Sequence, residues 1–217
     1  FKVYNYNSER GVPGAIVNNV WRRGERIWDT NSFAQGSFTK TVGSFTTLNN
    51  IKYAFYRTHY VNNDDKQIKI DNLYRQREFY LSSANELALT QWWRVSASYD
   101  FQWNTLSADM YGFAKPDRYS NLLSVATLVD LGRFKAQASG LATFIHDRLR
   151  GQQSPADKHV FTPAIYASFS PLRRSRGLQL RAFVKRSFRM PTFNDLYYAD
   201  MGNSRLSPER VTQYNVG

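Results

Sequence analysis

Trp93-Arg94-Val95-Ser96-Ala97-Ser98-Tyr99-Asp100-Phe101-Gln102-Trp103-Asn104 alternates without a break. Trp93, Val95, Ala97, Tyr99, Phe101 and Trp103 are apolar or aromatic, whereas Arg94, Ser96, Ser98, Asp100, Gln102 and Asn104 are all polar. Successive side chains of a strand point to opposite faces, and a helix would mix the two sets around its circumference. The stretch is therefore a strand with one apolar and one wet face. It is also long. Soluble strands average about 5–6 residues, while a tilted bilayer crossing takes about 9–11. The expectation is that the aromatic set faces lipid and the polar set faces a lumen.

The pattern recurs along the chain. Phe134, Ala136, Ala138, Gly140, Ala142 and Phe144 alternate with Lys135, Gln137, Ser139, Leu141 and Thr143. Aromatic residues at both ends with small ones between them fit a membrane-crossing strand with interfacial girdles. Phe161, Ile165, Ala167 and Phe169 oppose Thr162, Tyr166, Ser168 and Ser170. Leu178, Leu180, Ala182 and Val184 oppose Gln179, Arg181 and Lys185, with Phe183 the exception.

Connections carry a second, independent signal. Candidate strands fall at 1–10, 27–45, 51–61, 68–89, 92–104, 119–130, 133–147, 160–170, 178–189 and 211 onward. Long polar gaps (11–26, 62–67, 105–118, 148–159, 190–210) alternate with short ones (46–50, 90–91, 131–132, 171–177). A soluble sandwich has no reason to sort loop length by side, whereas outer-membrane barrels have short periplasmic turns and longer external loops. The fold class expected is all-β, an antiparallel transmembrane β-barrel. Residues 1–217 read as one part of such a barrel, about ten strands, beginning at Phe1 without an initiator Met and stopping soon after the last strand begins.

Composition narrows the chemistry. The 29 Lys and Arg against 17 Asp and Glu leave a net charge of +12, which suggests an anionic partner. With 42% hydrophobic residues the chain is no disordered polymer, and no run reaches the roughly 20 apolar residues of a transmembrane helix. There is no cysteine, which excludes disulfides, thiolate metal sites and Cys nucleophiles. Gly36 and Gly43 are followed by no Lys-Ser or Lys-Thr at phosphate-loop spacing, no nucleophile elbow occurs, and no carboxylate pair stands out. The chain reads as no enzyme, and neither a cofactor nor a resident metal is expected.

Near the C-terminus, Ser187-Phe188-Arg189-Met190-Pro191-Thr192-Phe193-Asn194-Asp195-Leu196-Tyr197-Tyr198 precedes Gly202-Asn203-Ser204-Arg205-Leu206-Ser207-Pro208-Glu209 and Gln213-Tyr214. This pair of motifs resembles the barrel domain of TonB-dependent outer-membrane receptors. In that family a strand ends in an aromatic-Arg-x-Pro turn and a helix-like x-x-Leu-Tyr turn, then a Gly-Asn-x-x-Leu-x-Pro-Glu segment leads into the next strand. The runs at 9–15 and 28–31 are similar to its Bacteroidetes members, although Asn215 stands after Tyr214 where Glu is usual. The resemblance implies a 22-stranded barrel with a plug domain through which TonB acts. It implies uptake of a scarce nutrient such as a ferric siderophore, haem or cobalamin, and no nucleic-acid partner. The plug domain and the C-terminal strands are expected to lie outside this chain.

Arg189, Pro191, Leu196, Tyr197, Gly202, Asn203, Leu206, Pro208 and Glu209 are the motif residues, expected to act structurally. Pro fixes φ and cannot donate to a ladder, so Pro191 and Pro208 end strands and shape the loop between them. Arg22, Arg23 and Arg26 in one long gap, with Arg148 and Arg150 in another, are the candidate ligand-binding residues. They are placed to attract an anionic metal chelate or the phosphates of outer-membrane lipid and lipopolysaccharide. Arg173, Arg174 and Arg176, on the short-turn side, are expected to matter little for capture. His146, Asp147 and His159 flank one loop but lack a metal-ligand signature and read as a chance grouping. Asp64 and Asp65 read as a solvated turn. The alternative is a soluble, basic, aromatic-rich all-β module for single-stranded nucleic acid or glycans.

Overall fold

The computed structural model describes residues 1–12, 25–63, 69–151, 153–172, 177–197, 203 and 205–217, apart from the side chain of Asn194. The strands are β1 (Lys2–Val12), β2 (Glu25–Val42), β3 (Phe45–Asn62), β4 (Ile70–Ala88), β5 (Trp93–Ala108), β6 (Asp117–Asp130), β7 (Phe134–Arg148), β8 (Lys158–Phe169), β9 (Leu180–Arg189) and β10 (Glu209–Val216). A five-residue helix, α1 (Phe193–Tyr197), sits between β9 and β10. All ten strands form one antiparallel sheet in the order β1 to β10, each strand pairing only with its neighbours in sequence.

Register fixes the two faces. Trp103 pairs with Tyr119, Tyr99 with Leu123 and Ala97 with Val125, so the aromatic set of β5 shares its face with Leu123 and Val125 of β6. That face continues through Gly140 and Ala142 of β7 to Phe161, Ile165 and Phe169 of β8. It is the exposed apolar face: Val125 is 58% exposed and Phe161 and Ile165 are each 60% exposed. The opposite face carries Arg94, Ser96, Ser98, Asp100, Gln102 and Asn104, as the alternation predicts. A folded soluble chain of 25.2 kDa exposes about 10,000 Å². This chain exposes 15030 Å², and its sheet turns apolar side chains outward.

Polar side chains on the inward face satisfy one another across strands. Lys52 Nζ donates to Glu78 at 2.9 Å, and Tyr80 Oη donates to Asp100 at 3.0 Å. Ser37 donates to Asn50 at 2.7 Å, and Asn50 to Ser82 at 3.1 Å. Phe183 is inward as well, opposite Tyr166, which explains its break in the alternation.

The structure corrects the strand boundaries expected around residue 45. The stretch 46–50 is not a gap; it lies inside β3, and the turn is Gly43-Ser44, with Gly43 at φ 58°. The polar run misled because Thr47 and Asn49 face outward, where Asn49 Nδ2 bonds Thr47 at 3.1 Å. On the neighbouring strand Asn85 Nδ2 bonds Ser83 at 3.2 Å on the same face. Amides satisfied this way are tolerated outside a polar lumen. The expected gap 105–118 also shrinks, because β5 runs to Ala108 and β6 starts at Asp117. The expected turn at 131–132 is present, with Gly132 at φ 76°.

Connections at 43–44, 89–92, 131–133 and 170–179 share one end of the sheet; those at 63–69, 109–116, 149–157 and 190–208 share the other.

Candidate functional site

The long-connection end is where the inward face gains a covering. Arg118, on the inward face of β6, stands opposite Asp147 of β7 in the register. Its Nε and Nη2 donate to Asp147 Oδ1 and Oδ2, both at 2.7 Å, in a bidentate fork. Nη1 donates to the Pro191 carbonyl at 3.0 Å, and the guanidinium lies 4.9 Å from the Phe193 ring centroid. Tyr197 Oη donates to Asp147 Oδ2 at 3.0 Å. Arg118 and Asp147 are both buried, so charge-assisted bonds here act with little screening. The pair thus latches the β9–β10 connection onto the inner wall.

α1 is short enough to need its caps. Thr192 N donates to Asp195 Oδ2 at 2.8 Å, and Asp195 N donates back to Thr192 Oγ1 at 3.2 Å. This is a reciprocal capping box. The Thr192 amide, then its hydroxyl, hold the Asp195 carboxyl below its usual value. Burial, then the Asp147 charge, push the Tyr197 phenol well above its usual value. Below α1, Ala114, Leu149, Leu196 and Tyr197 form a buried cluster against Phe193. Phe193 also packs on Leu106, Ala108 and Phe113. Residues from three connections and the inner wall therefore share one small apolar core.

Beside that core lies a cavity of about 720 Å³ bounded by α1 and the inward faces of β2 to β5. Tyr60, Tyr74, Leu106 and Phe193 supply apolar surface; Asn72 and Gln76 supply amides. Among the described residues, its lining carries no charged side chain.

The chain matches the family described as TonB dependent receptor-like, beta-barrel over residues 2–217. It belongs to that family. No curated protein matches the chain. The TonB-dependent receptor barrel is an outer-membrane receptor and transporter structure, located in the bacterial outer membrane, in a family of transporters rather than enzymes. The apolar outer face and the family together set aside the reading as a soluble nucleic-acid or glycan module.

Within the receptor barrel, Arg189, Pro191, Asn203, Leu206 and Glu209 of the motif gather around a cavity of about 640 Å³ at the β9–β10 connection, with Glu209 opposite Arg189 in the register. Leu196 and Tyr197 are buried in the loop core, Pro208 is half-buried, and Gly202 lies outside the described residues. Of the basic candidates that are described, Arg26 lies on β2, five strands away from Arg148 and Arg150. Arg22 and Arg23 lie outside the described residues. Arg26 faces outward and pairs with Glu9. Arg148 is exposed at the end of β7, and Arg150 reaches Asp117 at 3.4 Å. Arg173, Arg174, Arg176, Asp64 and Asp65 also lie outside the described residues.

His146, Asp147 and His159 separate: His146 bonds Asp157 at 2.6 Å, Asp147 holds Arg118, and His159 packs edge-on to Phe144. Among the described residues no group of three acidic, His or Cys side chains is placed to hold a metal. Arg118 and its part in the latch escaped the sequence. The signal was available, since Arg118 stands 12 residues before Asp130 and Asp147 stands 12 after Lys135, the partner of Asp130 across the turn, on the same face.

Proposed function

We propose that this barrel forms the ligand-accepting wall of a receptor that imports a scarce nutrient of the ferric siderophore, haem or cobalamin class, driven by TonB through a plug domain in the lumen. The observation that carries this reading is the cavity of about 720 Å³ on the inward face at the long-connection end. Concave, mostly apolar sites with a few placed polar groups are the ordinary form of small-ligand sites. Aromatic faces and amides supply contact there. Arg22, Arg23, Arg26, Arg148 and Arg150 act at longer range, as a basic rim that draws an anionic chelate toward the mouth. The latch keeps α1 in place as one wall of the cavity.

The test is equilibrium binding by the whole receptor of a ferric siderophore, haem and cobalamin in turn. One of them binds, and Tyr74→Ala or Phe193→Ala weakens it by about tenfold, or roughly 1.4 kcal/mol. Uptake of that ligand stops in cells without TonB. Binding that ignored both substitutions would remove the cavity from the mechanism.

A further inference from the structure

We propose that the outer wall of this barrel, at β2 to β4, is a binding site for a phosphorylated glycolipid headgroup of the outer leaflet. The outward face of β3 runs Phe45, Thr47, Asn49, Ile51, Tyr53, Phe55, Arg57 and His59. From Phe45 to Phe55 is about 33 Å along a strand, or about 25 Å in height at a tilt near 40°, which matches the apolar band of a membrane barrel. Arg57 is the first outward residue above that band, at the long-connection end. Directly opposite it on β4 stands Arg75, and Arg77 stands opposite Phe55. All three arginines are exposed.

Like charges directly opposite one another on a sheet are destabilising. Among the described residues, none of the three forms an ion pair. The outward carboxylates nearby are engaged elsewhere, Asp71 with His59 at 2.6 Å and Glu9 with Arg26. Three guanidiniums on the rim of an apolar band match phosphates held at the membrane surface, in fork geometry.

A second feature adjoins them. Asn7, Glu9, Trp28, Thr30, Arg57 and His59 line the outward side of a cavity of about 510 Å³. The Trp28 and His59 rings lie 5.3 Å apart within it. An aromatic face ringed by amide, hydroxyl and carboxylate groups suits a sugar ring, which has an apolar face and hydrogen-bonding hydroxyls. Below the arginines, Tyr53, Phe79 and Leu81 share the outward face and offer a surface for acyl chains. Phosphate, sugar and acyl chain are thus each matched by a neighbouring part of one wall. The inference rests on the membrane orientation of the proposed function and not on the nutrient imported.

The intact receptor, purified in mild detergent, is tested for retention of bis-phosphorylated lipid A from mixed vesicles. Dephosphorylated lipid A and phosphatidylglycerol serve as comparison probes, and nutrient uptake is measured separately. The expected result is retention of phosphorylated lipid A about tenfold above either comparison lipid, lost in Arg57→Gln/Arg77→Gln. Trp28→Ala should narrow the preference over phosphatidylglycerol, and Lys40→Gln, near the short-turn end, should change nothing. Folding is checked by heat-modifiable gel mobility. Arg75→Gln, which relieves the opposed charges, serves if the double variant does not fold. Equal retention of dephosphorylated lipid A would remove the phosphate contact. Equal retention of phosphatidylglycerol would reduce the site to general attraction for anions. Unchanged retention in the folded arginine variants would overturn the proposal outright.

Discussion

Arg118 meets Asp147, the Pro191 carbonyl and the Phe193 ring at once, so replacing it changes more than one bond. Arg118→Met leaves Asp147 buried without its cation, and breaking such a pair costs about 3–5 kcal/mol. The double variant Arg118→Met/Asp147→Leu should cost less than either single change, because no orphaned charge remains. Urea unfolding of the refolded receptor, with protease nicking of 190–208 as a local readout, separates the two. Acid and alkali should open the same loop by different groups. Asp195 titrates lower when folded, so its cap is complete above the unfolded carboxyl value and is lost as pH falls through the folded one. Tyr197 titrates higher when folded, so the latch is intact below the ordinary tyrosine value and weakens as pH rises past it. Nicking measured against pH should show both limbs; Asp195→Asn should flatten the acid limb and Tyr197→Phe the alkaline one. Little of this was legible from single residues. Asp147 sits beside His146 in sequence, and only strand register shows that its partner is Arg118.

At the scale of the element, alternation read the faces of β5, β7 and β8 well because both faces are strongly selected, one by lipid and one by a wet lumen. It read the start of β3 badly, because Thr47 and Asn49 put amide and hydroxyl where lipid-facing positions are usually apolar. The basic candidates were illegible for a related reason: a long gap shows that a loop exists, not where its side chains point. Two substitutions test the face assignment. Val125→Arg, outward in β6, should cost about 2–4 kcal/mol in lipid-reconstituted unfolding, while Ser124→Arg, one residue away on the inward face, should cost far less. Gly140 tests local packing. A Cβ there would lie 3.0 Å from the Phe161 ring, so Gly140→Val must push that ring aside and should lower stability, with Phe161→Ala restoring part of the loss. A Gly140→Val receptor as stable as the parent would show that Phe161 moves freely.

The whole molecule is a sheet with two open edges, because β1 and β10 do not pair with each other. Open edges are not tolerated in hydrocarbon, where each unpaired backbone group costs several kcal/mol. The 217 residues alone should therefore give no closed transporting pore. Reconstituted vesicles of the isolated chain should show no TonB-dependent uptake, and uptake by them would show that the edges close by some other route. Strand adjacency also follows the order of the chain, with no crossover anywhere in the sheet. Within the sheet, two consecutive strands with their turn are thus a module joined to the other strands only along two ladder seams, with loop contacts such as the Arg118 latch added beyond the ladder. Duplicating or deleting such a module during evolution would change the circumference and leave every other seam intact. Duplicating a single strand would not. It would reverse the direction of every later strand, sending the capping loop with α1 to the side of the membrane where the short turns lie. By duplication or deletion of whole hairpins, a barrel of this kind grows or shrinks by even steps.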